Sequence, residues 1–402
     1  MNGWRKLIVC LLTVAVVAAL LALLRWMIFP LFSGRQEILR MACAAVVSFL
    51  IVALASPRMI RFLIRKKLGD RPEFDHAALN ELTRHKSATP TMGGMLIVLA
   101  VTASMVLFAD ISEMYVKMAF LALLWLGLLG GVDDYLKLRA SSIAARSGGQ
   151  VSASRDGLRM WEKILFQIGL AVLLAIFIYG HGAESGSHDF KGRAINAAHH
   201  FYFPFRAEPI DLPLFAYVII TILVMVGSSN AVNLTDGMDG LASGCMVFVT
   251  GVFLVLAWVV GHHDWANFLH LPYIPGASEL TVVCAAMAGA CVGFLWYNCL
   301  PAQVFMGDTG SLPLGGLIGY IAIITRQELM LFIAGGVFVM EAISVLLQIV
   351  YFKGTGGRRL FLCAPIHHHF HLFGWAESKV VVRFWLLSIL CAAVALATLK
   401  LR

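Results

Sequence analysis

The sequence predicts an all-α polytopic membrane protein, with a ten-helix transmembrane core, five cytoplasmic loops gathered at one face and one additional N-terminal membrane helix. Three observations carry that fold class. Of 402 residues, 60% are hydrophobic and only 13% charged, against about 25% charged in soluble chains. The apolar residues gather into eleven runs near the length that crosses a bilayer, about 20 residues. The basic residues fall mainly in alternate connections between those runs, the sorting that orients membrane helices.

The first run, residues 7–29, follows the charged start "MNGWRK". No A-x-A cleavage site follows it, and it exceeds the usual apolar stretch of a signal peptide. It therefore reads as an uncleaved helix, making residues 1–35 an N-terminal extension to a membrane domain over 36–402. The core runs are 37–63, 92–110, 118–133, 164–180, 212–228, 240–260, 279–297, 311–325, 328–351 and 380–399. The run 311–325 is short and carries Gly315, Gly316 and Gly319, which let helices approach closely. Eight cysteines lie in or beside apolar runs without C-x-x-C spacing. They read as packing residues, not as a disulfide framework or a zinc site.

Numbering the ten core runs as helices 1 to 10, the connections after helices 1, 3, 5, 7 and 9 share one face. They carry Arg61, Arg65, Lys66, Lys67, Arg71, Arg84 and Lys86, then Lys137, Arg139, Arg146, Arg155, Arg159 and Lys163, then Lys353, Arg358, Arg359 and Lys379. The opposite face offers little beyond Lys117, Lys191, Arg193, Arg206 and Arg326. The basic face is therefore expected in the cytoplasm, and the net charge of +8 reflects topology, not nucleic-acid binding. Residues 181–211 are expected to face outward. The Ser/Gly/Arg-rich stretch "ASSIAARSGGQVSASRDG" has little to bury and is expected to be mobile.

The unusual polar residues sit in the same five connections: "HKSATPTMGG", "DDYLK", "NAVNLTDGMDGLASG", "NCLPAQVFMGDTGS" and "APIHHHFH". That placement predicts one composite site at the mouth of the bundle. Asp133 and Asp134 are adjacent where an apolar run ends, and two carboxylates about 4 Å apart repel by about 4 kcal/mol at an effective dielectric of 20. Acids at a helix C-terminus also oppose its dipole, so a pair kept there points to a shared cation. Asp236 and Asp239 fit either a helix–helix turn or two carboxylates converging on a cation. Asp308 fits an N-cap for a helix starting near Ser311, or a backbone cradle for phosphate. His367, His368 and His369 are consecutive and cannot all face one metal from a regular helix, which favours proton transfer or phosphate binding over zinc. Lys86, Lys137 and Lys163 serve either a lipid surface or a diphosphate. "KGTGGRRL" lacks the spacing and preceding strand of a phosphate loop. Glu341 lies inside helix 9, where an acid is either functional or paired with a neighbouring helix. Acids, lysines and histidines together at a lipid–water boundary point to Mg²⁺-assisted phosphate chemistry.

Taken in order, "KSATPTMGG", "GGVDDYLK", "SNAVNLTDGMDGLA", "GFLWYNCLPAQVFMGDTGSL" and "APIHHHFHLFGW" resemble the phospho-N-acetylmuramoyl-pentapeptide-transferase family. The resemblance covers about residues 30–402. The acidic motifs belong to the wider polyprenyl-phosphate N-acetylhexosamine-1-phosphate transferase superfamily, and the triple histidine narrows the match to the muramoyl branch. The resemblance implies a reaction of UDP-N-acetylmuramoyl-pentapeptide with undecaprenyl phosphate, giving lipid I and UMP with Mg²⁺. It also implies a bacterial inner-membrane protein, multi-pass, its site facing the cytoplasm, and a homodimer.

Carried over by motif, Asp133, Asp134 and Asp308 match the essential acids, Asp308 as the Mg²⁺ ligand and Asp133 as the base toward the lipid phosphate. His367 joins them as a catalytic expectation. Lys86, Asn233, Asp236, Asp239, Asn298 and Phe305 match the nucleotide pocket, with Thr91 in the first motif beside them. His368 and His369 match the sugar–peptide end, and Lys137 and Lys163 the polar site. Direct attack of the lipid phosphate is favoured over an aspartyl intermediate. Two motif positions depart from the pattern: Ala88 stands where glycine is usual, and His371 where glutamate is usual. A transporter is disfavoured, because its ionisable groups gather near the midplane, whereas here only Glu341 lies deep.

Overall fold

The computed structural model describes residues 3–32, 36–65, 81, 86, 89–147, 157–181, 186–189, 192–203 and 209–399. Lys66, Lys67, Arg71, Arg84, Ala88, Arg155, Lys191 and Arg206, named above, lie outside the described residues, as do residues 148–156. The described residues form fourteen α-helices and one two-stranded hairpin. Eight helices are long and apolar enough to cross a membrane. Three shorter apolar helices, Ala15–Leu31, Gly94–Phe108 and Asp308–Ile324, complete the correspondence with the eleven runs.

In chain order the helices begin with α1 Gly3–Ile28, α2 Glu37–Arg65, α3 Gly94–Phe108, α4 Met114–Ser147 and α5 Met160–His181. There follow α6 Leu214–Thr235, α7 Leu241–Val260, the short α8 His263–Phe268, α9 Leu280–Asn298 and α10 Asp308–Ile324. The last four are α11 Glu328–Ala334, α12 Gly336–Gly354, α13 Ile366–Leu372 and α14 Glu377–Thr398. Between α5 and α6, β1 His200–Phe201 pairs antiparallel with β2 Ile210–Asp211. The helix α1 lies against α3, where Arg25 donates to the carbonyls of Val106 and Ala109 at 2.7 and 2.8 Å.

The shortest core run becomes the centre of the bundle. Every residue of α10 is buried, with α4 and α6 packed along it. A Cβ at Gly315 would lie 2.4 Å from the Ser228 carbonyl oxygen, and one at Gly316 2.1 Å from Leu126. Packing between apolar helices in lipid gains from such close backbone approach. A helix of 17 residues is about 25 Å long at 1.5 Å per residue, short for a bilayer but sufficient for one surrounded by protein. Outer helices do the opposite: Leu128, Leu223, Trp296 and Val350 stay exposed, presenting apolar surface to lipid.

Three boundaries differ from expectation. The third core helix does not end at Asp133: α4 continues to Ser147, so the paired acids lie inside a helix and the dipole penalty expected for them does not arise. The α10 helix starts at Asp308, three residues before Ser311, so Asp308 occupies the first turn and not the cap. The run 328–351 is two helices broken at Gly335, where glycine is the poorest helix former short of proline.

Candidate active site

Three segments build the acidic centre: α4, the start of α10, and the loop entering α5. The close contact between α4 and α10 depends on Gly130, where a Cβ would lie 2.1 Å from the Asp308 carbonyl oxygen. One turn further along α4, Asp134 points at the N-terminus of α10. Its Oδ1 accepts the Asp308 N–H at 3.1 Å, and its Oδ2 accepts the Thr309 N–H at 2.9 Å and the Thr309 hydroxyl at 2.6 Å. Helix N-termini leave such N–H groups unpaired and favour negative charge. Asp134 is therefore the cap of α10, supplied from another helix. Gly307 precedes it at φ +71°, and a Cβ there would meet Asp134 Oδ2 at 2.6 Å and Thr91 Oγ1 at 3.0 Å.

Asp133 is fully buried and faces a different set of partners. Its Oδ1 accepts the Leu158 N–H at 2.7 Å, and its Oδ2 lies 2.7 Å from both Lys137 Nζ and Lys163 Nζ. Lys163 also reaches Asp308 Oδ2 at 2.7 Å, and Lys137 reaches it at 3.4 Å. Asn233 donates to Asp308 Oδ1 at 2.8 Å and to Ser311 Oγ at 2.9 Å. Two lysines thus bridge two carboxylates, leaving the three acids with one net negative charge. Ligand oxygens of Asp133, Asp134 and Asp308 lie within 4.8 Å of one another, and they form the single such metal-competent group among the described residues. An all-oxygen set of this kind suits a hard cation such as Mg²⁺. The Lys163 ammonium, 2.7 Å from both Asp133 and Asp308, shows that one positive charge can bridge the two.

A second cluster ties four connections together. Lys86 Nζ lies 2.6 Å from Asp239 Oδ1 and also contacts Glu377 Oε1. Glu377 Oε1 accepts the Asp239 N–H at 3.0 Å, and Asp239 Oδ2 accepts the Ala302 N–H at 2.9 Å. Asn298 spends its amide on the same walls. Its Oδ1 accepts from the Gly240 N–H at 3.1 Å and the Ser243 hydroxyl at 3.2 Å, and its Nδ2 donates to the Val304 carbonyl at 2.9 Å. Phe305 is held by backbone pairing, donating to the Pro90 carbonyl and accepting from the Gly93 N–H, both at 2.8 Å. Its side chain stays half-buried. Asp236 follows α6 as its C-cap and is half-buried.

The histidines lie behind the Asp236–Asp239 turn. His367 Nε2 stands 2.3 Å from where a Cβ on Gly237 would be. Its Nδ1 lies 3.1 Å from Glu341 Oε2, both side chains fully buried, at ion-pair distance without the alignment of a hydrogen bond. Glu341 is thus paired with a neighbouring segment, one of the two alternatives its sequence position left open. The rings of His367 and His368 pack 4.1 Å apart. Burial holds the His368 imidazole down to about 2, with His367, His371 and Lys86 adding to the effect; it is neutral at physiological pH. His369 Nδ1 accepts the Leu362 N–H at 3.2 Å. His371, where glutamate is usual, turns its Nδ1 toward the Trp375 carbonyl at 3.1 Å.

The five motif segments therefore converge, but their residues divide. Asp133, Lys137, Lys163, Asn233 and Asp308 meet around one point, while Lys86, Asp239 and Asn298 line a second, and His367 and His368 sit a layer behind. Sequence reasoning missed Glu377, whose position just before an apolar run reads as an ordinary solvated acid. It also missed Thr309 as the partner of Asp134.

Comparison with known proteins bears on the family of the chain. Residues 116–326 match the family model described as Glycosyl transferase family 4. A phospho-N-acetylmuramoyl-pentapeptide-transferase of Desulfotalea psychrophila is 43% identical, over 94% of this chain and 99% of its own. Relatives with the same name from Rickettsia felis and Desulfatibacillum aliphaticivorans are 40% and 43% identical, over 90% and 89% of this chain and 93% and 91% of theirs. With that likeness running nearly end to end, the chain belongs to the phospho-N-acetylmuramoyl-pentapeptide-transferase family, a family of membrane-embedded glycosyl-1-phosphate transferases.

Proposed function

We propose that this enzyme transfers phospho-N-acetylmuramoyl-pentapeptide from its UDP carrier to undecaprenyl phosphate, giving lipid I and UMP in a membrane step of peptidoglycan synthesis. The observation that carries the reading is the pair of lysines bridging Asp133 and Asp308 beside a capped helix N-terminus. The positive-inside sorting of the connections supports a site facing the cytoplasm, and the family likeness supports the bacterial inner membrane.

In the reaction, an oxygen of the acceptor phosphate forms a bond to the donor's β-phosphorus. The bond from that phosphorus to the bridging oxygen breaks, and its electron pair leaves with UMP. Three phosphates, two on the donor and one on the acceptor, enter a site whose own charge is already negative, so the lysines must redistribute. As Lys137 and Lys163 turn to the phosphates, Asp133 loses its cations and becomes the group able to take the acceptor's proton. Asp134 holds the first turn of α10, and with it Asp308, in place throughout. Asp308 would hold Mg²⁺, leaving Asp133 free to act as the base. When bound, the ion supplies charge neutralisation for the diphosphate and for the leaving UMP.

The second cluster serves the nucleotide. Phe305 offers a ring to stack on uracil, and Lys86, Asp236 and Asp239 supply polar partners around it, with Asn298 shaping the walls; Asn233 and Thr91 stand at the acidic centre, toward the diphosphate. His369 faces the sugar–peptide side, and His367 and His368 support the Asp236–Asp239 turn from behind.

The test is UMP release by purified protein supplied with both substrates and Mg²⁺, comparing wild type with Asp133→Asn and Asp308→Asn. Release by wild type and its loss in both folded variants is expected. Normal turnover in either variant removes that residue from the chemistry. Turnover of UDP-N-acetylglucosamine instead moves the protein to a sister activity.

A further inference from the structure

The loop between α12 and α13 takes no part in the chemistry above, yet its composition is unusual. Residues 351–360 are exposed without a break and include Lys353, Arg358 and Arg359. No acidic residue occurs anywhere from 342 to 376, so nothing in this stretch neutralises them. The loop is nonetheless ordered by specific bonds. Gln348 Oε1 accepts the N–H groups of Leu360 and Phe361 at 3.1 and 2.8 Å, folding the loop back along α12. Gly356 and Gly357 have φ of +67° and +109°, which permits that reversal.

Its depth follows from α12. Ile343, Leu346, Leu347, Ile349 and Val350 are exposed, so this face of a membrane-length helix meets lipid tails. The apolar face runs into exposed Tyr351 and Phe352, residues typical of the headgroup boundary, and then directly into the three cations. Past them, Leu360 and Leu362 are again exposed. A cationic turn bordered by apolar side chains at that depth fits lipid phosphates, since basic groups beside a bilayer are attracted to anionic headgroups.

We propose that residues 351–362 form a binding site for anionic phospholipid headgroups of the surrounding bilayer. The site reaches the candidate active site at His369, through the Leu362 N–H on its Nδ1 and the Phe361 ring packed edge-on against it with centroids 5.8 Å apart, so headgroup binding steadies α13 and its histidines. The lipid site stands on its own; its effect on turnover rests on the transferase reading.

The experiment places the protein in nanodiscs of equal phosphatidylglycerol and phosphatidylcholine, and counts retained lipids by native mass spectrometry. Wild type is expected to retain phosphatidylglycerol preferentially. The triple variant Lys353→Gln, Arg358→Gln, Arg359→Gln is expected to lose that preference by about tenfold or more, whereas Lys117→Gln with Arg193→Gln, at the opposite end, keeps it. Raising salt on wild type alone weakens the preference as screening predicts, a check that needs no variant. Turnover is expected to rise with phosphatidylglycerol content in wild type and not in the triple variant. Equal retention of both lipids by wild type, or an undiminished preference in the triple variant, overturns the site. An absence of UMP release in every lipid would defeat the transferase reading while leaving the retention result to decide the site.

Discussion

Asp133 and Asp134 are neighbours in sequence, but the structure gives them separable tasks, and Asp134→Asn exposes the difference. The substitution keeps the shape and one acceptor oxygen, and turns the other acceptor into an NH₂ donor. Asp134 accepts three hydrogen bonds, from Asp308 N, Thr309 N and Thr309 Oγ1. With the amide, at least one α10 N–H faces a donor and stays unpaired in a buried setting, at about 1–3 kcal/mol. Losing the charge at the helix N-terminus adds about 0.3–1 kcal/mol. Relief of repulsion among the acids works the other way, but Asp133 and Asp308 are already balanced by Lys137 and Lys163, so the net relief is small. The expected loss is about 1–4 kcal/mol of stability on these figures, read as a lower thermal midpoint in detergent, together with impaired UMP release. Asp133→Asn, which loses the bridge to Lys137 and Lys163, should abolish release whatever its own shift in midpoint. An Asp134→Asn protein with unchanged midpoint and abolished turnover would refute the separation and make Asp134 a chemical group.

Three further outcomes follow from the same geometry. Gly130→Ala should collapse activity and lower the thermal midpoint, because its Cβ would fall 2.1 Å from the Asp308 carbonyl oxygen; wild-type kinetics would show that α4 and α10 separate without consequence. Glu377→Gln should raise KM for the nucleotide donor about tenfold while changing kcat little, since it weakens the hold on Lys86 and the Asp239 N–H, worth about 1–2 kcal/mol for charge-assisted bonds. A kcat effect alone would place Glu377 in the chemistry. His368 is held neutral down to about 2, well below its unfolded value. Its stabilising contribution is therefore full above about pH 6.5 and lost as pH falls below that. The slope is about 1.4 kcal/mol per pH unit. Denaturation curves between pH 7 and 5 should show that slope, and His368→Asn should flatten it; an unchanged slope would assign the acid sensitivity elsewhere.

Much of the fold was legible because lipid-spanning helices advertise themselves by composition alone, and all eleven apolar runs are helical. What the runs could not show was where a helix continues past its apolar part. The segment after Asp134 alternates Leu136 and Leu138 with Lys137 and Arg139, which reads as an interface, yet α4 goes on because Lys137 pairs with Asp133 one turn back. The break at Gly335 was hidden for a different reason: two glycines in an apolar run also suit close helix packing. At the site, the motifs marked which loops converge but not which atoms meet. Asp134 capping α10 joins residues 174 positions apart, and Glu377 reaching Lys86 joins residues 291 apart. No local pattern encodes either. Acid type and position near the interface were readable; the division between chemical and supporting roles was a property of packing.

The proposed transfer is direct: the acceptor phosphate itself displaces UMP while Asp133 takes its proton. UMP release in a single turnover, with enzyme in excess over donor and Mg²⁺ present, with and without undecaprenyl phosphate, is the decisive measurement. Rapid release with the acceptor and none without it is expected. A burst of UMP approaching one equivalent of donor in the absence of acceptor would contradict it, because the sugar phosphate would then have moved to the protein first.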